Sequence, residues 1–137
     1  MDRATFKRLA ASRLTEAQIL LRARQYSGAY YLAGYVVECG LKACIAKQTR
    51  RFEFPDGARV NDSYQHALTK LIRVAGLEVQ QQADGMLDPA FDYNWAIAKD
   101  WSEASRYDVT RKAEAIALVS AVAEPHHGMM QWLARFW

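Results

Sequence analysis

Tyr30-Tyr31-Leu32-Ala33-Gly34-Tyr35-Val36-Val37-Glu38-Cys39-Gly40-Leu41-Lys42-Ala43 packs apolar residues at helical spacing and carries Glu38 and Lys42 one turn apart. With Tyr30, Ala33, Val37, Leu41 and Cys44 on one side, the stretch predicts a long core helix reaching about Lys47. Gly34 and Gly40 each lower helix propensity by roughly 1 kcal/mol relative to Ala, so their presence predicts close approach of another helix. Ser27-Gly28 reads as the break and restart ahead of it.

Upstream, Asp2 can cap a first helix whose Phe6, Leu9, Ala10, Leu14, Ala17, Leu20 and Leu21 line one face. Arg13 and Arg24 fall on that stripe, and Arg24, near the helix end, is expected to snorkel to water. Downstream, Lys47, Arg50 and Arg51 favour a helix C-terminus and offer sequence-blind attraction for phosphate. The segment 52–61 holds Pro55-Asp56-Gly57 and reads as an exposed loop. Asp62 with Gln65 forms a capping-box pattern for a third helix, with Ala67, Leu68, Leu71 and Ile72 inward and Gly76 closing it. A short helix over Glu78 to Ala83 follows, and Asp88-Pro89 opens another through Phe91 to Asp100, where Trp95 and Trp101 call for burial. Asp108 reads as the cap of a last long helix, with Ala113, Ile116, Ala117, Ser120 and Ala123 on one side and Leu118, Val119 and Val122 widening the apolar face. Pro125 kinks or ends it, and the segment from about His127 to Trp137 is expected to dock as a further turn or two. Strand signals and repeats are nearly absent, which predicts an all-α fold, an up-and-down bundle of four to five main helices.

A chain of 137 residues with ordinary apolar and charged content fits one domain and excludes a disordered chain. No apolar run approaches the roughly 20 residues of a bilayer crossing. Met1-Asp2-Arg3 leads into an amphipathic pattern instead of a secretory signal, so no membrane partner and a cytoplasmic location are expected. Cys39 and Cys44 are five apart and match neither a redox pair nor a zinc site; they read as buried free thiols. His126-His127 point about 100° apart with no ligand cluster beside them, so neither metal nor cofactor is expected. A net charge of +3 permits an anionic partner.

Four anchors in order carry a resemblance: the first amphipathic helix, Tyr31 to Ala43 with Glu38-Cys39-Gly40-Leu41-Lys42, then His66-Ala67-Leu68-Thr69-Lys70-Leu71, and Trp101 with Arg106-Tyr107. Over most of its length the chain resembles the HEPN domains (higher eukaryotes and prokaryotes nucleotide-binding). The resemblance implies a helical bundle, a homodimer, and a polar site in or beside the dimer cleft that engages a nucleotide or RNA. Catalytic members are metal-independent ribonucleases, often toxins or defence effectors, and some pair with a small nucleotidyltransferase. Family nucleases carry an arginine followed by four to six residues and a histidine at a late helix. Here the corresponding Arg106-Tyr107-Asp108-Val109-Thr110-Arg111-Lys112-Ala113 has no histidine.

The resemblance therefore implies a nucleotide- or RNA-binding module, non-catalytic, possessing Glu38, Lys42, Arg106 and Tyr107 as binding residues. In it, Glu38 lies beside Arg106 and orients its guanidinium, since a planar fork of donors holds phosphate best with a second partner. Tyr107 beside Arg106 offers a base-stacking ring next to a phosphate contact, or fills a gap in the bundle. Glu38 and Lys42 alternatively form an ordinary ion pair. In the runner-up reading, a metal-independent ribonuclease toxin, His66 supplies the general base with Arg106 as its catalytic companion; Arg59, with six residues between it and His66, is a substitute for the missing spacing. His66 otherwise reads as a neutral core histidine. A third reading is an assembly partner of a small nucleotidyltransferase with no ligand of its own. Trp132, Phe136, Trp137, Tyr31 and Gly34 exceed the evident needs of one small core, which points to a two-fold partner.

Overall fold

The computed structural model describes residues 1–49, 57, 61, 62 and 64–137. The Thr5 N–H donates to Asp2 Oδ1 at 2.8 Å and opens α1 (Arg3–Arg22), as the sequence predicts. The chain then reverses at Ala23–Gln25, earlier than Ser27-Gly28. Gln25 N–H donates to Leu20 O and Arg24 N–H to Leu21 O, the paired bonds of a left-handed helix stop, and Arg24 supplies the required φ of +62° without being glycine. Arg24 is exposed, as expected.

The second helix, α2 (Tyr26–Gln48), is the axis of the molecule. Buried residues occur all round it, from Ala29 and Ala33 through Val36, Val37 and Leu41 to Ala43, Cys44 and Ile45, the signature of a helix enclosed by neighbours. It packs along α1 and meets α3 (Leu68–Val74), the 3-10 helix Glu103–Tyr107, α6 (Lys112–Ala123) and α7 (Met129–Ala134). Gly40 acts as read, since a Cβ there would lie 2.7 Å from Leu133 Cδ1 on α7; Gly34 instead admits a residue from between helices, a Cβ there lying 2.1 Å from the Trp101 ring.

α4 (Glu78–Leu87) and α5 (Pro89–Ala98) complete the bundle. Asp88 caps α5 as predicted, accepting from the Ala90 and Phe91 amides with Pro89 in the first turn. Seven α-helices and one 3-10 helix have their bounds among the described residues, with no strand there; five of the α-helices have ten or more residues. The fold is an all-α bundle.

Several local expectations are corrected. Gly57 and Asn61 are helical, not loop, and Asp62 is helical too; Arg50, Arg51, Pro55, Asp56 and Arg59 lie outside the described residues. Asp62 caps nothing: its carbonyl accepts from Gln65 in a turn, residues 65–67 are non-helical, and Ala67 is the N-cap of α3. Gly76, at φ +70°, does close that helix. α4 runs past Asp84-Gly85 to Leu87, and Gly85, without a Cβ, leaves room for Asp92 of α5. Asp108 ends the 3-10 helix, and Arg111 is the N-cap of α6. α6 buries Ala115, Leu118, Val119 and Val122, leaving Ala113, Ile116 and Ser120 outside. The helix stops at Ala123, before Pro125, and α7 forms in the docking segment.

Trp132 and Gly34 are consumed inside the chain. Trp132 stacks on Phe91 at 5.0 Å and packs against Phe136, while Gly34 receives Trp101. Tyr31, Phe136 and Trp137 are partly buried against the same core. No helix of the described residues is long and apolar enough to cross a membrane.

Candidate functional site

Tyr31, Tyr35, Glu38 and Lys42 recur at i, i+4, i+7 and i+11 and so form one stripe along α2. Two features bring other elements to it. Trp101, seated on Gly34 and met edge-on by Tyr35 at 5.2 Å, presses the 3-10 helix against α2. Leu68, Leu71 and Ile72 bury α3, and Gln48 Nε2 donates to Ala75 O at 2.6 Å, tying the far end of α2 to α3. Residues 65–67, entering α3, thereby pass Glu38.

Glu38 is 3% exposed. Its Oε1 accepts from Lys42 Nζ at 2.9 Å and faces His66 Nδ1 at 3.0 Å; its Oε2 is buried without a hydrogen-bond partner among the described residues. The opposite ring nitrogen, His66 Nε2, lies 3.2 Å from Glu103 Oε2. One histidine thus bridges a buried and a half-exposed carboxylate. A neutral imidazole has a single N–H, so only a ring protonated at both nitrogens donates to both acids. Removing an ion from water costs several kcal/mol unless it is paired, and Lys42, 16% exposed at its side chain, supplies the pairing charge.

In a 3-10 helix, side chains three apart eclipse one another, so Glu103 and Arg106 share an edge. Arg106 stacks its guanidinium 4.9 Å over the Tyr107 ring. Hydrogen bonds to Tyr107 and then Tyr31 push its pKa above the ordinary arginine value, and Glu103 adds a smaller attraction. Tyr31 and Tyr35 join hydroxyl to hydroxyl at 3.3 Å. Burial first, then that bond and the Glu38 charge, push the Tyr35 hydroxyl well above the usual tyrosine range. The Tyr35 hydroxyl keeps its proton.

Glu38, Lys42 and His66 are thus brought together, with Arg106 and Tyr107 one 3-10 turn away. The anticipated Glu38–Arg106 pair does not form: no ion pair joins them among the described residues, since Lys42 and His66 occupy Glu38 and Arg106 turns to the tyrosines. His66 is neither helical nor a core residue; its side chain is 40% exposed. Glu103 and Tyr35 went unnoticed in the sequence. Tyr35 was marked by the stripe, and Glu103 only by a spacing of three from Arg106 that has meaning once a 3-10 turn is known.

Elsewhere, His127 Nδ1 meets Asp88 Oδ2 at 2.6 Å, while His126 is exposed. Cys39 and Cys44 are buried free thiols, and burial pushes each up to about 11. No group of three or more His, Cys, Asp or Glu among the described residues is arranged to hold a metal. Comparisons with family models, with curated proteins and with solved structures find no match to this chain.

Proposed function

We propose that the chain is a HEPN-like domain that binds RNA or a nucleotide at the cluster around Glu38. Lys42, His66 and Arg106 meet phosphate oxygens, and Tyr107, 79% exposed, offers its ring to a base. The observation that carries this reading is His66 clamped between Glu38 and Glu103, one 3-10 turn from Arg106. An incoming phosphate takes the place of Glu103 on Nε2 and gains a charge-assisted bond there. Glu38 stays beneath as the group that orients Lys42 and His66.

A second reading, turnover of RNA without metal, is favoured by the Glu38–Nδ1 contact. A ring that donates Nδ1–H to a fixed carboxylate presents Nε2 as a base. Nε2 takes the ribose 2′-hydroxyl proton, the 2′-oxygen attacks the adjacent phosphorus, and the bond to the 5′-oxygen breaks as that oxygen takes a proton from water, leaving a cyclic phosphate and a 5′-hydroxyl. The family resemblance extends the proposal to a homodimer, to a toxin–antitoxin or defence setting, and to a small nucleotidyltransferase as partner.

Labelled RNA and a nucleotide panel, incubated with wild type, Arg106→Ala and His66→Ala, test both readings. A lost charge-assisted hydrogen bond of about 2 kcal/mol weakens binding roughly thirtyfold in Arg106→Ala. The logarithmic salt slope for single strands falls by about 0.7 for each cation removed. Unchanged affinity and slope in Arg106→Ala overturn the site. Cyclic-phosphate ends that disappear in His66→Ala establish turnover through that residue; intact RNA leaves the binding module.

A further inference from the structure

A hollow of about 240 Å³ opens where the junction of α4 and α5 meets the turn into α7. Phe91 and Trp132, stacked at 5.0 Å, floor it, and Leu87, 86% exposed, stands at its rim. Two acids and two basic side chains make up the polar wall, and they differ in how their hydrogen-bonding capacity is spent. Asp84 Oδ1 accepts from Gln80 Nε2 at 3.0 Å and Oδ2 from Trp132 Nε1 at 2.8 Å. Asp88 Oδ1 accepts from the Ala90 and Phe91 amides, and Oδ2 faces His127 Nδ1 at 2.6 Å. Every carboxylate oxygen of the wall is therefore engaged.

The basic groups are the reverse. Arg135 stands 3.6 Å from Asp84 Oδ2, an ion pair too long for a hydrogen bond, and its guanidinium lies 5.1 Å over the Phe136 ring. None of its donors has a hydrogen-bond partner among the described residues, and neither has His127 Nε2. Both side chains are open to solvent, 58% and 43% exposed, so a ligand reaches them. His127 is nevertheless fixed. Its amide and that of His126 donate to Glu124 Oε2, its carbonyl accepts from Asn94 Nδ2 at 2.9 Å, and a Cβ on Gly128 would run into Glu124 O. With Nδ1 against a carboxylate, only the doubly protonated ring also donates from Nε2. The bond to Asp88, foremost, raises its pKa above the ordinary histidine value. Asp84 and Asp88 are then matched one for one by Arg135 and His127, while Glu124 spends its oxygen on the two amides and His126 is the remaining titratable neighbour.

We propose that this hollow binds a small monocarboxylic acid with an apolar body, its carboxylate bidentate on Arg135 with His127 Nε2–H as third donor and its body against Leu87. A rigid fork of unspent donors matches a planar carboxylate. A phosphate dianion would bring its second charge against Asp84 and Asp88. The volume lies below the roughly 300 Å³ at which pockets for drug-sized ligands begin, which limits the body to one ring or a short aliphatic chain. The proposal is independent of the reading of the Glu38 cluster.

Phenylacetate titrated into the full chain, followed by the indole N–H resonances in heteronuclear NMR, tests it. Saturable binding is expected that shifts the Trp132 indole and leaves that of Trp101 in place. Phenylacetamide, which lacks the charge, and acetate, which lacks the body, bind at least tenfold more weakly to the same wild-type chain. Loss of the charge-assisted contacts in Arg135→Gln likewise weakens phenylacetate at least tenfold. Affinity is full below pH 6.5 and falls as pH rises through the folded pKa of His127, because the neutral ring keeps its single N–H on Asp88 and turns a lone pair to the ligand. His127→Gln removes that dependence, which a merely structural histidine would not govern. No saturable shift at Trp132, equal binding of phenylacetamide or acetate, tighter binding of phenyl phosphate, undiminished affinity in Arg135→Gln, or the same fall with pH in His127→Gln overturns the proposal.

Discussion

Gly34→Ala tests whether Trp101 anchors the 3-10 helix. The new Cβ would lie 2.1 Å from two atoms of the indole and 2.2 Å from Trp101 Cγ. These are ring atoms, and the ring is wedged by Tyr35 at 5.2 Å and Tyr31 at 6.3 Å, so it cannot rotate aside as a flexible chain end does. Overpacking of a tight core costs about 3 kcal/mol at the upper end of its usual range. The better helix propensity of Ala returns about 1 kcal/mol, leaving a net loss of about 2 kcal/mol. An unfolding entropy of about 2.1 cal/mol/K per residue over 137 residues gives about 0.29 kcal/mol/K, so Tm falls by about 7 °C. Urea denaturation of a double-mutant cycle with Trp101→Ala isolates the cause. Trp101→Ala alone costs about 3–5 kcal/mol, but it removes every atom the new Cβ meets. In that background Gly34→Ala becomes stabilising by up to about 1 kcal/mol, a coupling of about 3 kcal/mol. An unchanged Tm for Gly34→Ala, or the same loss with and without the indole, refutes the wedge.

Glu38→Gln keeps the shape of the side chain but leaves Lys42 without its buried partner; a loss of roughly 3 kcal/mol is expected by denaturant unfolding, and the pair Glu38→Leu, Lys42→Leu should lose less than either single change. The His127–Asp88 contact sets a pH window. His127 is raised above 6.5, chiefly by its hydrogen bond to Asp88, and Asp88 is lowered below 3.8, chiefly by its bond to His127. The histidine contribution is complete below 6.5 and fades as pH rises through its folded pKa; the aspartate contribution is complete above 3.8 and fades as pH falls through its own. Stability is therefore held between those limits, and His127→Gln should flatten the alkaline limb in thermal scans from pH 5 to 9. Because burial holds both thiols up at about 11, a thiol reagent at pH 8 should modify Cys39 and Cys44 only at the rate of unfolding. Rapid labelling of the native chain would contradict their burial.

Periodicity carried the long elements. α1 and α2 follow from apolar spacing, and Asp2 and Asp88-Pro89 mark true helix starts because their capping partners lie within three residues. Local motifs failed where tertiary contacts decide. Asp62 and Asp108 have the chemistry of caps, yet the chain is already turning at both. The α6 face was misread because Ala115 completes the inward stripe with Leu118 and Val122, while the equally small Ala113 faces out. The same division runs through the site. Glu38 and Lys42 stand together on one helix, and one helix is what a sequence describes well. His66 reaches them across 28 positions of chain, and Glu103 arrives on a 3-10 turn, so only the assembled fold brings these groups together.

Because α2 meets neighbours on every side, it has no idle surface on which a change of phase goes unnoticed. One residue inserted ahead of Val37 would swing the remainder of the helix by about 100°, carrying the Glu38 carboxylate away from His66 and driving Val37, Leu41 and Cys44 out of their own niches. The polar island and the oily matrix around it are thus locked to a common screw thread. Drift in the length of this segment is forbidden twice over, and evolution can retune the island only by exchanging side chains in place.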